Sequence, residues 1–418
     1  MAATETPSKS LISSPFTTEE LTRYAGVTVG RCTDLQAGEL LVIEYEPEHR
    51  PLMVAIAQEA YRRGLRVSTQ VRDPLLIRAE VEHAAEPVLG LLEPWHQSFT
   101  MARTVPGAGL ISIKGEELPG ALDGCDPDRL AQRARRQAAA AEPLFDKVRE
   151  GRDAFVIVAY PTVAWSSRVY GDKPSREAQR ELAEDLLGFC RIGPGDACDA
   201  LERHIETLRE RARVTNELQL REVHFRGPST DLLVGLPADA VWSTAEFTNA
   251  YGRTIFRNLP SEEIFTAPAA SLTEGTVRCT KPFAAHGMLA EDVRMEFRDG
   301  RLVRLDAWTD AQRDALAARL DVDQGGRRLG ELALVDVASR VGQRNRVFWN
   351  TLLDENQTCH VGLGLGFPDC RTAGGESSDL NYSRVHFDFM IGAPEVEVTG
   401  RTASGATVPL IIDGTWRL

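Results

Sequence analysis

The chain has 418 residues, 43% of them hydrophobic and 26% charged, which is enough apolar material for about two or three cores and excludes disorder as the main state. Its 61 acidic against 48 basic side chains leave a formal charge of −13. That balance argues against a nucleic-acid partner or an anionic membrane surface, both of which call for a basic face.

Met1 to Ser14 is polar and lacks an apolar stretch, so residues 1–15 read as a flexible leader. From Leu40 the pattern alternates short apolar runs with helical periods. Leu40 to Ile43 is a buried-strand run, and a helix from Leu52 to Arg63 stops at Gly64. Further strands are expected at Leu65–Thr69, Leu110–Ile113 and Phe155–Val158. Strands this apolar are covered on both faces, so residues 16–218 are expected to form an α/β domain with a largely parallel sheet. Asp128 to Arg149 reads as one Arg- and Ala-rich helix, and Asp199 to Arg213 as an amphipathic helix with Leu201, Ile205 and Leu208 on one stripe.

After Gln219 the texture changes. Arg221 to Gly235 predicts two strands around a Gly-Pro-Ser-Thr turn, and alternation recurs at Val277, Val293, Leu302, Leu332, Val385 and Val396. One helix is expected near Thr309 to Leu320. Residues 219–418 therefore read as a strand-rich α+β domain. Gly362, Gly364 and Gly366 alternate with apolar residues, as in a strand approached closely by other backbone. No phosphate loop, HExxH or GxSxG motif occurs.

Seven scattered cysteines without a CxxC pair predict reduced thiols and a cytoplasmic location. No apolar run approaches the roughly 18 residues of a membrane span.

The chemistry-bearing residues lie between 255 and 392. His386 and Asp388 stand two apart in an apolar strand, so both face one side. An aspartate there is costly unless it is paired or bound to a cation, and either a metal site or a hydrogen-bonded pair accounts for it. Glu355 and His360 suit a loop running into a strand, or a polar turn. Glu331 opens an apolar run. Glu262 and Glu263 follow Pro260-Ser261, where helix capping is the alternative reading. Pooled, these carboxylates and imidazoles suit two divalent cations that share a carboxylate.

The segments Asn258–Thr266, Arg328–Glu331, Leu353–His360 and His386–Gly392, with Phe225–Pro228 and Asp231–Leu236, resemble the M29 metallopeptidases, the group of aminopeptidases T, S and PepS. The resemblance implies a metal-dependent aminopeptidase with two divalent ions (Zn, Co or Mg), a small peptide or aminoacyl-amide substrate and a homodimeric state. It implies Glu263, Glu355, His360, His386 and Asp388 as ligands and Glu331 as the carboxylate that bridges both ions. Seven residues after the ligand histidine, the family has a tyrosine thought to assist at the tetrahedral intermediate. This chain has Phe367 there, with Tyr382 as the alternative source of a hydroxyl. Glu262 is the candidate proton shuttle.

Three other readings follow. His360, His386 and Asp388 alone would suit mononuclear Fe(II) and oxygen chemistry, although Glu263, Glu331 and Glu355 favour two metals. Phe367 also allows an amide hydrolase specialised for one metabolite, or a catalytically impaired metal-binding homologue.

Overall fold

In a computed structural model, residues 13–285, 288–372 and 379–418 are described. Most of the expected leader, residues 1–12, lies outside them.

The N-terminal α/β domain is built on four parallel strands, β1 (Leu40–Tyr45), β2 (Arg66–Val71), β3 (Ala108–Lys114) and β4 (Phe155–Ala159), in the order β2-β1-β3-β4. The chain leaves β1 for β2 on one side and returns to place β3 on the other. This reversal opens a crevice at the carboxyl ends of β1 and β3, where α/β sheets characteristically receive ligands. Helix Arg50–Arg62 makes the first crossover and buries Leu52, Ala55, Ile56 and Ala60. Leu41, Ile43, Ile111, Ile113, Val156 and Val158 supply the sheet's share of the core.

The expected helix over Asp128–Arg149 is instead two, Pro127–Ala140 and Glu142–Arg149. Pro143, in the first turn of the second helix, has no N–H to donate back, and its ring clashes with a continuing helix.

The C-terminal half is rich in strands. Leu220–Gly227 and Thr230–Gly235 form the expected hairpin at the middle of an eight-stranded sheet. A second sheet has four antiparallel strands: β5 (Glu263–Thr266), β6 (Leu329–Val335), β7 (His360–Gly364) and β8 (His386–Met390), in the order β8-β7-β6-β5. Ile264, Leu332, Leu334, Val361, Leu363, Phe387 and Phe389 project from one face of this sheet into the second core. The other face turns towards the N-terminal domain. The helix near Thr309 runs over Asp310–Leu320, with Thr309 capping Gln312 N–H. A further short helix, Thr351–Asp354, runs straight into the single 3-10 turn Glu355–Gln357.

The halves share structure. Asn258 bridges Ile157 of β4 in parallel, and Ala245, Phe256, Leu259, Phe348 and Leu353 are buried in the first core.

Candidate metal centre

Strand periodicity and register assemble the centre. Glu331, Gly362 and Asp388 are lateral neighbours across β6, β7 and β8. His386 lies two residues before Asp388, His360 two before Gly362, and Glu263 pairs with Val335 at the sheet edge. All project from the face opposite the second core. A side chain at position 362 would bring its Cβ within 2.9 Å of Asp388 Oδ1, Glu331 Cβ and His386 Cε1. Glycine there leaves the space that the surrounding donors occupy.

Two groups of donors result. Glu263, Glu331 and His360 offer ligand atoms within 4.8 Å of one another, and so do Glu331, His386 and Asp388. Glu331 belongs to both. His360 Nε2 stands 3.2 Å from Glu263 Oε2, and His386 Nε2 stands 2.9 Å from Glu331 Oε2 and 3.0 Å from Asp388 Oδ1.

The imidazoles are oriented from behind. His360 Nδ1 lies 3.1 Å from Glu355 O and His386 Nδ1 lies 2.9 Å from Leu365 O. A carbonyl only accepts, so each Nδ1 donates to it, and each ring is held with its Nε2 towards the carboxylates. Glu263 Oε2, although buried, forms no hydrogen bond among the described residues. Carboxylates this close together call for positive charge among them, which a divalent cation would supply.

The electrostatics agree. Burial, then Glu331 and Asp388, pushes the Glu263 carboxyl well above its ordinary range. Burial, then Asp388, Glu263 and Glu331, does the same for Glu355. Burial opposes a charged His386, yet Asp388 and Glu331 raise its pKa well above the usual value. The same negative field attracts divalent cations, and oxygen with imidazole donors suits Zn, Co or Mg. The residues fit a pair of such ions.

The remaining residues named from the sequence are placed less uniformly. Glu355 lines the same cavity from the 3-10 turn but lies outside both triads. Phe367 also lines it, with its ring 5.0 Å from that of His386 and 5.6 Å from that of Phe265. Tyr382 is 37% exposed and is not part of the cavity wall. Glu262 precedes β5 and points the opposite way from Glu263, where Arg191 Nη2 donates to its two oxygens at 2.9 and 3.0 Å. Its backbone N–H donates to Asn356 Oδ1 at 2.6 Å. The proton-shuttle expectation for Glu262 therefore meets a carboxylate already held by a guanidinium, away from the cavity.

The cavity itself was not foreseen. It encloses about 560 Å³ and runs from the metal centre to the carboxyl ends of β1 and β3, where Glu44, Glu46, Lys114 and Glu116 line it together with Arg72 and Asn258. The one advance signal was Lys114, a charged residue that directly follows the apolar run of β3.

The family model described as thermophilic metalloprotease (M29) matches residues 17–416. The chain belongs to that family. Aminopeptidase T of Thermus aquaticus is 31% identical over 405 residues, covering 96% of this chain and 98% of that protein. Aminopeptidase PepS of Streptococcus thermophilus is 29% identical, covering 95% and 98%. The structure of wild-type AmpT from Thermus thermophilus superimposes with a TM-score of 0.86 at 30% identity, covering 96% of this chain and 99% of that one. The M29 chain described here is accordingly a hydrolase of the metallo-aminopeptidase type. Its two donor triads form a dinuclear metal-binding cluster consistent with metal-activated water. No helix among the described residues is long and apolar enough to cross a membrane.

Proposed function

We propose that the centre removes the N-terminal residue from a small peptide or aminoacyl amide, with Glu331 bridging two divalent cations. Glu263 and His360 would complete one site, His386 and Asp388 the other, with Glu355 as the sixth donor from the cavity wall. The observation that carries this reading is the membership of Glu331 in both donor triads. Two divalent cations held there supply Lewis acidity and bring deprotonation of water towards neutral pH.

The chain's own residues do the rest. The carbonyls of Glu355 and Leu365 fix the tautomers of His360 and His386, and the apolar second core behind the sheet keeps water from that side. The substrate's free α-amine would bind at one of the two cation sites or at a carboxylate beside them, which makes the enzyme an exopeptidase. Glu262 has no part in proton transfer here, because Arg191 holds it. Phe367 places a ring without a hydroxyl beside His386, which supports a narrowed substrate range within this chemistry.

The test is reconstitution with Zn, Co or Mg followed by assay on leucine p-nitroanilide and its N-acetyl derivative. Uptake of two ions per chain and hydrolysis of the free-amine substrate alone are expected. Absence of metal uptake, or equal hydrolysis of the acetylated substrate, would overturn the reading.

The family resemblance supports a homodimer, which light scattering after size exclusion would measure. The seven cysteines, all free, support a cytoplasmic location. A domain division at residues 16–218 and 219–418 is supported by the change from the first to the second core near Ala212 and Leu220.

A further inference from the structure

The cavity has two unlike ends. One is the cluster of buried carboxylates. The other is the crevice where the strand order reverses between β1 and β3, a usual ligand position in parallel sheets. Lys114, the last residue of β3, points its ammonium into that end.

Its nearest anion is Glu44 Oε2 at 3.9 Å, beyond hydrogen-bond range, and it donates no hydrogen bond among the described residues. Glu44 is already engaged, accepting from Ser112 Oγ at 2.8 Å and from Arg72 Nη1 at 3.3 Å. Glu46, on the same wall, accepts from Glu117 N–H at 2.9 Å, and Glu116 also lies there. Arg72 and Lys114 thus share one carboxylate, leaving Lys114's three donors for something that enters the cavity. Burial, then the neighbouring Arg72, lowers the Lys114 pKa despite the opposing pull of Glu44 and Glu46, and an added anion in contact with the ammonium would offset the remainder.

Asn258 adds a second unused group. It bridges Ile157 on one side of β4, while Lys114 pairs with Ala159 on the other, so both stand near the same strand end. Its Oδ1 is buried without a hydrogen-bond partner among the described residues, and the residue lines the cavity.

We propose that this far wall is a carboxylate subsite: Lys114 receives the C-terminal carboxylate of a short peptide whose N-terminal amine lies at the metal centre, and Asn258 accepts an intervening peptide N–H. This rests on the aminopeptidase reading and sharpens it to short peptides with a free C-terminus. A carboxylate bound by an ammonium in a part-buried cavity gains a charge-assisted hydrogen bond, and about 1.4 kcal/mol corresponds to tenfold in affinity.

The experiment uses the metal-reconstituted full chain on Leu-Ala and Leu-Ala amide, with leucine p-nitroanilide as a reporter of aminopeptidase chemistry. The wild type is expected to favour the free acid over the amide by about 10-fold or more in kcat/KM. Lys114→Gln should bring that ratio to about one by raising KM for the acid, and Lys114→Arg should retain most of it. A merely structural role would lower both substrates together and leave the ratio unmoved. Equal rates on acid and amide in the wild type, or an unchanged ratio in Lys114→Gln, would overturn the subsite. No turnover of leucine p-nitroanilide or of either peptide would overturn the aminopeptidase reading, and the subsite with it.

Discussion

Phe367 lies against the imidazole of His386, the two ring centroids 5.0 Å apart and their planes tilted by 50°. The ring is also held edge-on by Phe265, in a small cluster with Ala267, Ala333 and Cys370. A hydroxyl added to a ring so placed would enter the cavity beside the metal centre, where it would offer a hydrogen-bond donor. One oxyanion donor is typically worth about 100-fold in turnover. Phe367→Tyr is therefore expected to raise kcat on leucine p-nitroanilide by about that factor, with KM little changed. Steady-state kinetics on the two reconstituted proteins decides it, and an unchanged kcat would show that the hydroxyl does not reach the oxyanion.

Glu331 is the carboxylate common to both donor triads. Replacing it with Gln removes the shared charge while keeping the side chain's size. Glu331→Gln should bind fewer than two ions and lose about 100-fold or more in kcat, because it would remove the one carboxylate that both triads share. Metal content by elemental analysis, measured beside activity, separates loss of metal from loss of chemistry. Chelation should also lower the melting temperature of the wild type, since ions bound only by the folded state stabilise it.

Arg191 and Glu262 form an ion pair with both side chains buried, and His204 Nδ1 accepts from the same guanidinium at 2.9 Å. Removing one partner strands a buried charge, which typically costs about 3–5 kcal/mol. Glu262→Gln should accordingly lower stability in chemical denaturation by about 3 kcal/mol. The pH profile of kcat should keep its shape, as Glu262 faces away from the cavity. A displaced limb in that profile would restore Glu262 to proton transfer.

His49 is fully buried and joins the loops after β1 and β3: Nε2 donates to Gly115 O at 2.7 Å, and Nδ1 accepts from Glu46 N–H at 3.1 Å. Burial, opposed in part by the Gly115 carbonyl and aided by the nearby Lys114 charge, lowers its pKa from 6.5 to about 4. Between these values the unfolded chain binds a proton that the folded chain does not. The stability contribution is whole above about pH 6.5 and falls as pH drops towards 4, by at most about 1.4 kcal/mol per pH unit. His49→Gln, which keeps a donor and an acceptor, should flatten that part of the stability–pH curve. An unchanged slope would mean that His49 does not titrate in this way.

Much of the site was legible without coordinates. Two-residue spacing in a strand puts His386 and Asp388 on one face whatever the strand pairs with, and the alternating Val385, Phe387 and Phe389 identify the opposite face as core. The apolar runs of the first half similarly imply a sheet covered on both sides. Local rules failed where a nearby residue overrode composition, as Pro143 does in dividing an otherwise continuous helical pattern.

What the sequence determined by itself was thus period, face and donor chemistry, because these depend on bond geometry within a few residues. Which donors meet was decided by tertiary structure. Glu263, Glu331, His360 and Asp388 come together only through the antiparallel register of β5 to β8, across separations of up to 125 positions. The same holds for Glu262, whose partner Arg191 comes from the other half of the chain, and for Lys114. Its role in the cavity follows from the reversal of strand order at β1 and β3, a property of the assembled sheet that no local pattern encodes.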